Sequence, residues 1–349
     1  MTPEQISLEE VARKLGLQID GCELSVLTPN DIATRLRQTP PYLALTRALL
    51  CSNGESSALL AEAHFPPEIC DGHYPGSPSI PLVDMGRAMD DAAAVWLCRN
   101  GHVPLLKRIS KLRAESMEVT RPGTPYFIRV SQEKGEVVTK LYSSVTYQPL
   151  ATIQGWQYDF VSVPEISSAP RFEADAAVQI KTAITWQNEI DQAELLRRIP
   201  QSPPFFVLKS AKRGVTATDS HVVRTISRFK IESVSGHFTG LDALGPMHYS
   251  RSLAQTGMLM ASLCGELQEV VPEVVSAKTI WYDTREYFRP DVEVETIVFH
   301  ERSFSRGGMS FVTLNGIVLV HGKPVLGTDS FVYVLVPRAQ HPATAPKQG

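Results

Sequence analysis

Two stretches of the chain recur in the same order, and this internal repeat constrains the fold more than any other feature. Gln38–Leu43 (QTPPYL) matches Gln201–Phe206 (QSPPFF), and Gly72–Gly76 (GHYPG) matches Gly236–Gly240 (GHFTG). Both pairs have nearly the same spacing along the chain. A repeat of this length predicts two similar structural units packed against each other.

The repeat continues downstream and divides the chain into two halves. Arg87 matches Arg251, and Thr120–Gly123 (TRPG) takes the place of Phe288–Asp291 (FRPD). A stretch containing proline and serine (PEISSAPRFE) predicts a linker, and the composition of the C-terminal end predicts disorder. The predicted divisions are a first half with an N-terminal helical extension over residues 1–163, a linker over 164–173, a second half over 174–337 and a disordered tail over 338–349.

Each half shows the same predicted order of elements. A short helix with a Pro-Pro turn is followed by a strand, a glycine-containing loop, a long helix and several further strands. The long helices are predicted at Val83–Leu97 and Met247–Leu267, and two late strands at Ser310–Leu319 and Ser330–Val336, with Asn315–Gly316 as a hairpin signal. One long helix wrapped by a mostly antiparallel sheet is an α+β layout. A capping-box pattern also predicts a short structural helix over residues 7–15.

Composition and motifs argue against several classes of function. The net charge of −3 gives no electrostatic basis for binding nucleic acid. No apolar run reaches the roughly 18 residues that a membrane span needs, and the polar start of the chain does not resemble a secretory signal. The five cysteines are scattered, and the histidines lack metal-site spacing. We therefore expect a cytoplasmic protein without a metal or nucleotide cofactor.

The loop Gly72–Pro81 (GHYPGSPSIP) resembles the G-H-F-P-G-x-P-x-x-P loop of the β-hydroxyacyl–acyl-carrier-protein dehydratases. The Pro-Pro-Tyr segment upstream and Arg121–Gly123 downstream also resemble that family, in the expected order. Two such halves in one chain further resemble the double-hotdog dehydratase domains of polyketide synthases. The resemblance covers about residues 30–163 and 180–336. It implies a double hotdog, in which two tandem halves form a pseudo-dimer.

The resemblance also implies where an active site would lie and what it would process. At the seam between the halves, His73 would face the helix at 247–267 and His237 the helix at 83–97. The implied substrate is a 3-hydroxyacyl thioester on an acyl carrier protein or on CoA, with no cofactor of the protein's own. Loss of water from such a substrate needs a base for the α proton and an acid for the departing hydroxyl. A homodimer of pseudo-dimers is also possible.

Arginine occupies both positions at which the family carries its catalytic acid. These positions are Arg87 and Arg251, each 14 residues after a loop histidine. A guanidinium group has no acceptor and keeps its proton, so it cannot act as a carboxylic acid. The sequence therefore predicts that the family's histidine–carboxylate dyad is absent from both sites.

The two long helices nevertheless keep polar faces where the sites would be. Asp84, Arg87 and Asp91 share one helical face, and His248, Arg251 and Gln255 occupy the same positions in the second half. The arginines either bind a substrate anion or pair with Asp84 or Asp91, while Asp90 is interpreted as a solvated helix charge. The candidate catalytic residues are His73, His237, Asp84, Asp91 and His248. The candidate substrate-binding residues are Arg87, Arg251, Gln255, Gly76, Gly240, Tyr42 and Phe205.

Three hypotheses from different functional classes remain open at this point. The first is a dehydratase-like or isomerase-like enzyme acting on an acyl thioester in fatty-acid or polyketide assembly. The second is another hotdog reaction, such as thioester hydrolysis, acyl transfer or cyclisation. The third is a non-catalytic partner protein that binds an acyl group.

Overall fold

The structure, a computed structural model, describes most of the chain. The described residues are 7–36, 43–54, 57–74, 78–98, 102–116, 118–162, 183–229, 246–264, 270–283 and 293–341. The first half contains α1 (Leu8–Lys14), β1 (Glu23–Leu27), α2 (Pro29–Leu36), β2 (Leu45–Ser52), β3 (Ser57–His64), a 3-10 turn (Pro67–Cys70), α3 (Leu82–Leu97), β4 (His102–Ala114), β5 (Pro125–Glu133), β6 (Glu136–Ser143), β7 (Pro149–Gln154) and β8 (Gln157–Ser162).

The second half repeats the order of helices and strands from β1 to β7. It contains β9 (Ile184–Ile190), α4 (Gln192–Arg198), β10 (Leu208–Thr216), β11 (His221–Arg228), α5 (Pro246–Cys264), β12 (Val270–Tyr282), β13 (Glu293–Arg306), β14 (Met309–Val320), β15 (Lys323–Pro337) and a 3-10 turn (Arg338–Gln340). The two predicted long helices are therefore confirmed as α3 and α5.

The strands form one continuous sheet that runs through both halves. Its order is β1-β2-β3-β5-β6-β7-β4-β12-β15-β14-β13-β11-β10-β9, and β8 pairs with β4. Every strand pair is antiparallel. Helix α3 packs on strands of the first half, and α5 packs on the corresponding strands of the second. The predicted α+β double hotdog is confirmed.

The halves meet where β4 pairs with β12. Ile109 lies opposite Ile280, and Leu112 lies opposite Ala277. Ile109 and Ala277 occupy equivalent places in the two halves, as do Leu112 and Ile280, so the strand pair has an approximate two-fold symmetry. This pairing brings α3 and α5 into contact on the same side of the sheet.

Helix α3 can lie close to its neighbours because its buried face is rich in small side chains. Ala88, Ala92 and Ala93 are fully buried there. Alanine also has the highest helix propensity, so the same residues favour the helix and its close packing. The resulting apolar core is continuous across the seam, and it includes Met89 of α3 and Leu259 of α5.

The predicted hairpin turn at Asn315–Gly316 is wrong. Both residues lie inside β14, and the chain turns instead at His321 and Gly322, whose φ angles are 49° and 76°. Gly316 is required for a different reason, since a Cβ there would lie 2.7 Å from Leu253 Cδ1 of α5. The glycine therefore permits a close approach between the helix and the sheet.

The C-terminal end also differs from the prediction where it leaves the sheet. Arg338–Gln340 form a 3-10 turn, and His341 is buried with its Nε2 atom 2.7 Å from Glu273 Oε1. Residues 338–341 therefore do not belong to a disordered tail. The predicted linker at 164–173 and the end of the tail lie outside the described residues, so the domain boundaries there stay predictions.

We expect Gly257→Ala to destabilise the protein, although alanine is the better helix former. A Cβ at Gly257 would overlap Phe331 Cε2 and would lie 2.6 Å from the Tyr333 hydroxyl oxygen, both on β15. Overpacking costs roughly 1–3 kcal/mol, against a gain of about 1 kcal/mol in helix propensity. Urea unfolding should show a lower midpoint at unchanged slope. A stabilisation of about 1 kcal/mol, the effect of propensity alone, would contradict this packing.

Candidate functional site at the seam

The loop that carries His73 is anchored against the second half of the chain. Gly72 has a φ of 77°, which favours glycine, and a Cβ there would overlap the carbonyl oxygen of Ser202. The Ser202 amide donates to the Gly72 carbonyl over 2.7 Å. This contact joins the Gly-His loop of one half to the Pro-Pro segment of the other, and it fixes where His73 lies.

The His73 imidazole is held in one tautomer. Its Nδ1 atom lies 2.9 Å from the Ser79 carbonyl oxygen, which can only accept a hydrogen bond. Nδ1 therefore carries the proton, and Nε2 keeps its lone pair. Burial lowers the pKa of His73 to about 4, against the opposing effects of the Ser79 hydrogen bond and the Glu273 charge. The ring is thus neutral at physiological pH and can accept a proton at Nε2.

His73 lies in the wall of a cavity of about 550 Å³ that is formed by both halves. Most of the wall is apolar, and it includes Met85 and Leu112 from the first half and Leu253, Met258, Ile280 and Phe331 from the second. A concave apolar space with a few polar groups at one place is typical of sites for small organic ligands. The size and character of this cavity suit an acyl chain.

Phe205 lines the cavity and contacts two of the other candidates, while its predicted binding of substrate stays a prediction. Its ring centroid is 4.8 Å from that of His73, and the Arg251 Cζ atom lies 4.2 Å from the same ring centroid. Phe205 belongs to the Pro-Pro segment, so this segment positions the histidine of one half next to the arginine of the other.

The Gln255 side chain holds the same segment in place. Its Oε1 accepts from the Val207 amide over 3.0 Å, and its Nε2 donates to Gln201 Oε1 over 2.8 Å and to the Phe205 carbonyl over 3.0 Å. Gln255 lies in the cavity wall, but all of these hydrogen bonds join it to other residues of the chain. Its predicted binding of substrate stays a prediction.

The two arginines at the expected acid positions share one carboxylate. Arg87 Nη1 lies 3.7 Å from Asp84 Oδ1, and Arg251 Nη2 lies 3.7 Å from Asp84 Oδ2. All three side chains are at most 9% exposed. The arginines were expected either to bind a substrate anion or to pair with a carboxylate, and the structure shows the ion pair with Asp84. This pair lies where α3 meets α5. Asp84 compensates two buried positive charges, so its predicted catalytic role is not the one that this geometry favours.

Asp90 is not the solvated charge that the sequence predicted. The Tyr158 hydroxyl donates to Asp90 Oδ1 over 2.6 Å. Burial raises the pKa of Asp90 to about 8, and the neighbouring charge of Asp91 adds to the effect. This side chain is therefore mainly protonated at neutral pH, because its surroundings disfavour the charged form.

Three polar residues of the site were missed by the sequence-based predictions. Glu273 Oε1 accepts from the Tyr74 hydroxyl over 2.5 Å and lies 2.7 Å from His341 Nε2. Glu273, Tyr74 and His341 all line the cavity that contains His73. Two signals were present, since Glu273 interrupts the apolar run Val270–Val275 and Tyr74 replaces the phenylalanine of the family loop.

Several predicted residues lie outside the part of the chain that the structure describes. Tyr42, Gly76, His237 and Gly240 belong to this group. His248 is in α5, but its side chain is likewise not described, and Asp91 is buried on α3. Their predicted roles, and with them the second seam site, stay predictions.

The described ranges of the chain contain neither a metal-ligand cluster nor a membrane-spanning helix. Within these ranges, no group of three or more His, Cys, Asp or Glu side chains is arranged to hold a metal ion. No helix in the same part of the chain is long and apolar enough to cross a membrane.

Comparison with known proteins bears on the fold. No protein-family model matches the sequence, and no curated protein matches it. Solved structures do match. One is the dehydratase domain of PpsC from Mycobacterium tuberculosis in complex with C12:1-CoA, which has 15% sequence identity and a TM-score of 0.56. The match covers 85% of this chain and 100% of that chain. The dehydratase domain of a mycocerosic acid synthase-like polyketide synthase has 14% identity and a TM-score of 0.57, with coverages of 86% and 98%.

GphF dehydratase 1 also matches, with 12% identity and a TM-score of 0.52, over 86% of this chain and 98% of that chain. These neighbours are polyketide synthase dehydratase domains, the group that the Gly-His loop and the tandem repeat resembled. Identities this low establish the double-hotdog fold, and the chemistry must be argued from the residues of the site.

We expect two substitutions on the same helix to have very different effects on stability. Asp84→Asn removes the charge that compensates Arg87 and Arg251, and leaving a buried charge uncompensated costs about 3 kcal/mol. Asp90→Asn replaces a mainly protonated acid with a neutral amide that can still accept from Tyr158. This matched control should cost less than about 1 kcal/mol. Urea unfolding at pH 7 measures both, and equal losses would contradict the shared ion pair.

Proposed function

We propose that this chain is an acyl-thioester-processing enzyme of the dehydratase-like hotdog type. Its substrate is a 3-hydroxyacyl chain carried on an acyl carrier protein or on CoA, and His73 is the base. One observation supports this most directly: a neutral imidazole with a free Nε2 lone pair lies in the wall of an apolar cavity between two hotdog halves. The complex of PpsC with C12:1-CoA is a precedent for an acyl thioester on this fold.

In the proposed reaction, His73 Nε2 removes the proton next to the thioester carbonyl. Proton transfer to a positioned side chain of this kind contributes roughly 10²–10⁴-fold to a rate. The negative charge then develops on the carbonyl oxygen and needs hydrogen-bond donors. Leu82 and Val83 line the cavity at the start of α3, where backbone N–H groups have no partner within the helix. These amides fit the role of stabilising the enolate oxygen.

Substitution of His73 should abolish turnover without loss of the fold. Purified protein is incubated with 3-hydroxyacyl-CoA thioesters of several chain lengths, and formation of the enoyl thioester is followed by its absorbance. We expect His73→Ala to lower kcat/KM at least about 100-fold, because the base is removed. His300→Ala is the matched control, since that histidine lies on β13 outside the cavity wall, with its Nε2 atom 3.0 Å from Ser303 Oγ.

The same assay separates the hypotheses. Absence of water loss at every chain length, or full activity of His73→Ala, would overturn the proposed function. Release of free thiol with the acyl skeleton unchanged would indicate thioester hydrolysis. Tight binding of the thioesters without any turnover would favour an acyl-binding partner protein.

The rate should depend on pH in an unusual way. Burial lowers the pKa of His73 to about 4, and the base acts in its neutral form. We therefore expect the acid limb of the kcat/KM profile, where protonation removes the base, to have its midpoint near pH 4. An unperturbed histidine would give the fall near pH 6.5. Initial rates are measured at each pH, and circular dichroism at the same pH shows whether the protein is folded. A midpoint of the fall in rate near pH 6.5 in folded protein would contradict the buried base.

A further inference from the structure

We propose that Glu273 is the catalytic acid of this site, and that it protonates the departing hydroxyl group in place of the carboxylate that α5 lacks. The proposal rests on the proposed function and adds the second half of its chemistry. A 3-hydroxyacyl thioester cannot lose hydroxide readily, so a proton donor is needed on the side of the β-carbon.

In the dehydratase pattern, the histidine comes from one half and the acid from the other, and Glu273 fits this arrangement. His73 belongs to the first half, and Glu273 belongs to β12 of the second, where it pairs with Val334 of β15. Both residues line the same cavity, and Tyr74, the chain neighbour of His73, donates a hydrogen bond to Glu273. The base and the acid thus come from opposite sides of the seam, with the carboxylate on a strand instead of a helix.

The carboxyl group lies in a built environment. Tyr74 and His341 both contact Oε1, over 2.5 and 2.7 Å, and neither of these contacts uses Oε2. Tyr74 is the single residue at which this loop differs from the family loop, which has phenylalanine there. The corresponding residue of the second half is Phe238. The rings of His73 and Tyr74 are 4.2 Å apart, so the hydroxyl that fixes Glu273 belongs to the neighbour of the base.

The residue at the family's acid position is unsuited to this task. Arg251 is bound to the Asp84 carboxylate and lies against the Phe205 ring. A guanidinium group does not release its proton at any relevant pH. Glu273 is an ionisable carboxyl group from the second half in the wall of the same cavity, so it is the candidate for the missing acid.

The proposed step balances in protons and electrons. His73 Nε2 takes the α proton, and the electron pair of that C–H bond is held in the enolate before it forms the Cα–Cβ double bond. The Cβ–O bond breaks as the protonated form of Glu273 gives its carboxyl proton to the departing oxygen. The products are an enoyl thioester and water. The Tyr74 hydroxyl and His341 then stabilise the carboxylate that remains, and proton exchange with solvent resets His73 and Glu273.

The test separates the acid step from the base step. The 3-hydroxyacyl-CoA substrate is incubated in D₂O with each variant, and two quantities are measured: formation of the enoyl thioester, and exchange of the α proton in unreacted substrate by mass spectrometry. We expect Glu273→Gln to slow dehydration at least about 100-fold while α-proton exchange continues, because His73 is intact. His73→Ala should lose both.

Glu115→Gln is the matched control, because this carboxylate pairs with Arg113 outside the cavity wall and its loss should leave both quantities unchanged. Affinity for a saturated acyl-CoA and the melting temperature of each variant show that the cavity and the fold persist. Tyr74→Phe, which removes one stabilising hydrogen bond, should slow dehydration less than Glu273→Gln does.

Each outcome decides the proposal. Dehydration by Glu273→Gln within threefold of the unsubstituted protein overturns the role of Glu273 and leaves the role of His73 standing. Loss of both dehydration and α-proton exchange in Glu273→Gln makes it a residue that only positions His73, and overturns the acid role. An unsubstituted protein that dehydrates no 3-hydroxyacyl thioester overturns the proposed function together with this extension.

Discussion

The antiparallel pairing of β4 with β12 is the contact on which the candidate site depends. It joins the sheets of the two halves and brings α3 and α5 together on one side. The cavity lies in the space that this arrangement encloses, with walls from both halves. Gly72 and Gln255 then tie the Gly-His loop and α5 to one Pro-Pro segment. His73 is positioned at the seam because the backbone hydrogen bond between Ser202 and Gly72 joins the two halves there.

The electrostatics of the seam explain how the chain differs from the dehydratase pattern. Two arginines occupy the places of two acids, and Asp84 lies between them. Buried charges are tolerated when they are compensated, so this cluster suits a structural role at the contact between the long helices. The arrangement leaves no carboxylic acid on α5 opposite His73. The carboxyl group of Glu273, held by Tyr74 and His341, is the part of the site that can make up for this loss.

The sequence predicted the features that repeat or that follow local rules. The tandem halves, the two long helices and the position of His73 all came from motifs whose spacing is visible along the chain. The sequence did not predict Glu273 or His341, because their contact joins β12 to residues far along the chain and depends on strand register. The hairpin turn predicted at Asn315–Gly316 was wrong for a related reason. The glycine leaves room for Leu253 of α5 and does not form a turn. Asp90 differed because burial, which charge patterning does not report, keeps it protonated.

A crystal structure of the protein with an unreactive 3-hydroxyacyl thioester analogue tests the central claim most directly. The account predicts that the acyl chain occupies the seam cavity, with the α-carbon within about 3.5 Å of His73 Nε2 and the β-oxygen on the side of Glu273. An analogue bound outside the seam cavity would contradict the account. So would an α-carbon far from His73 Nε2, with the imidazole proton on Nε2.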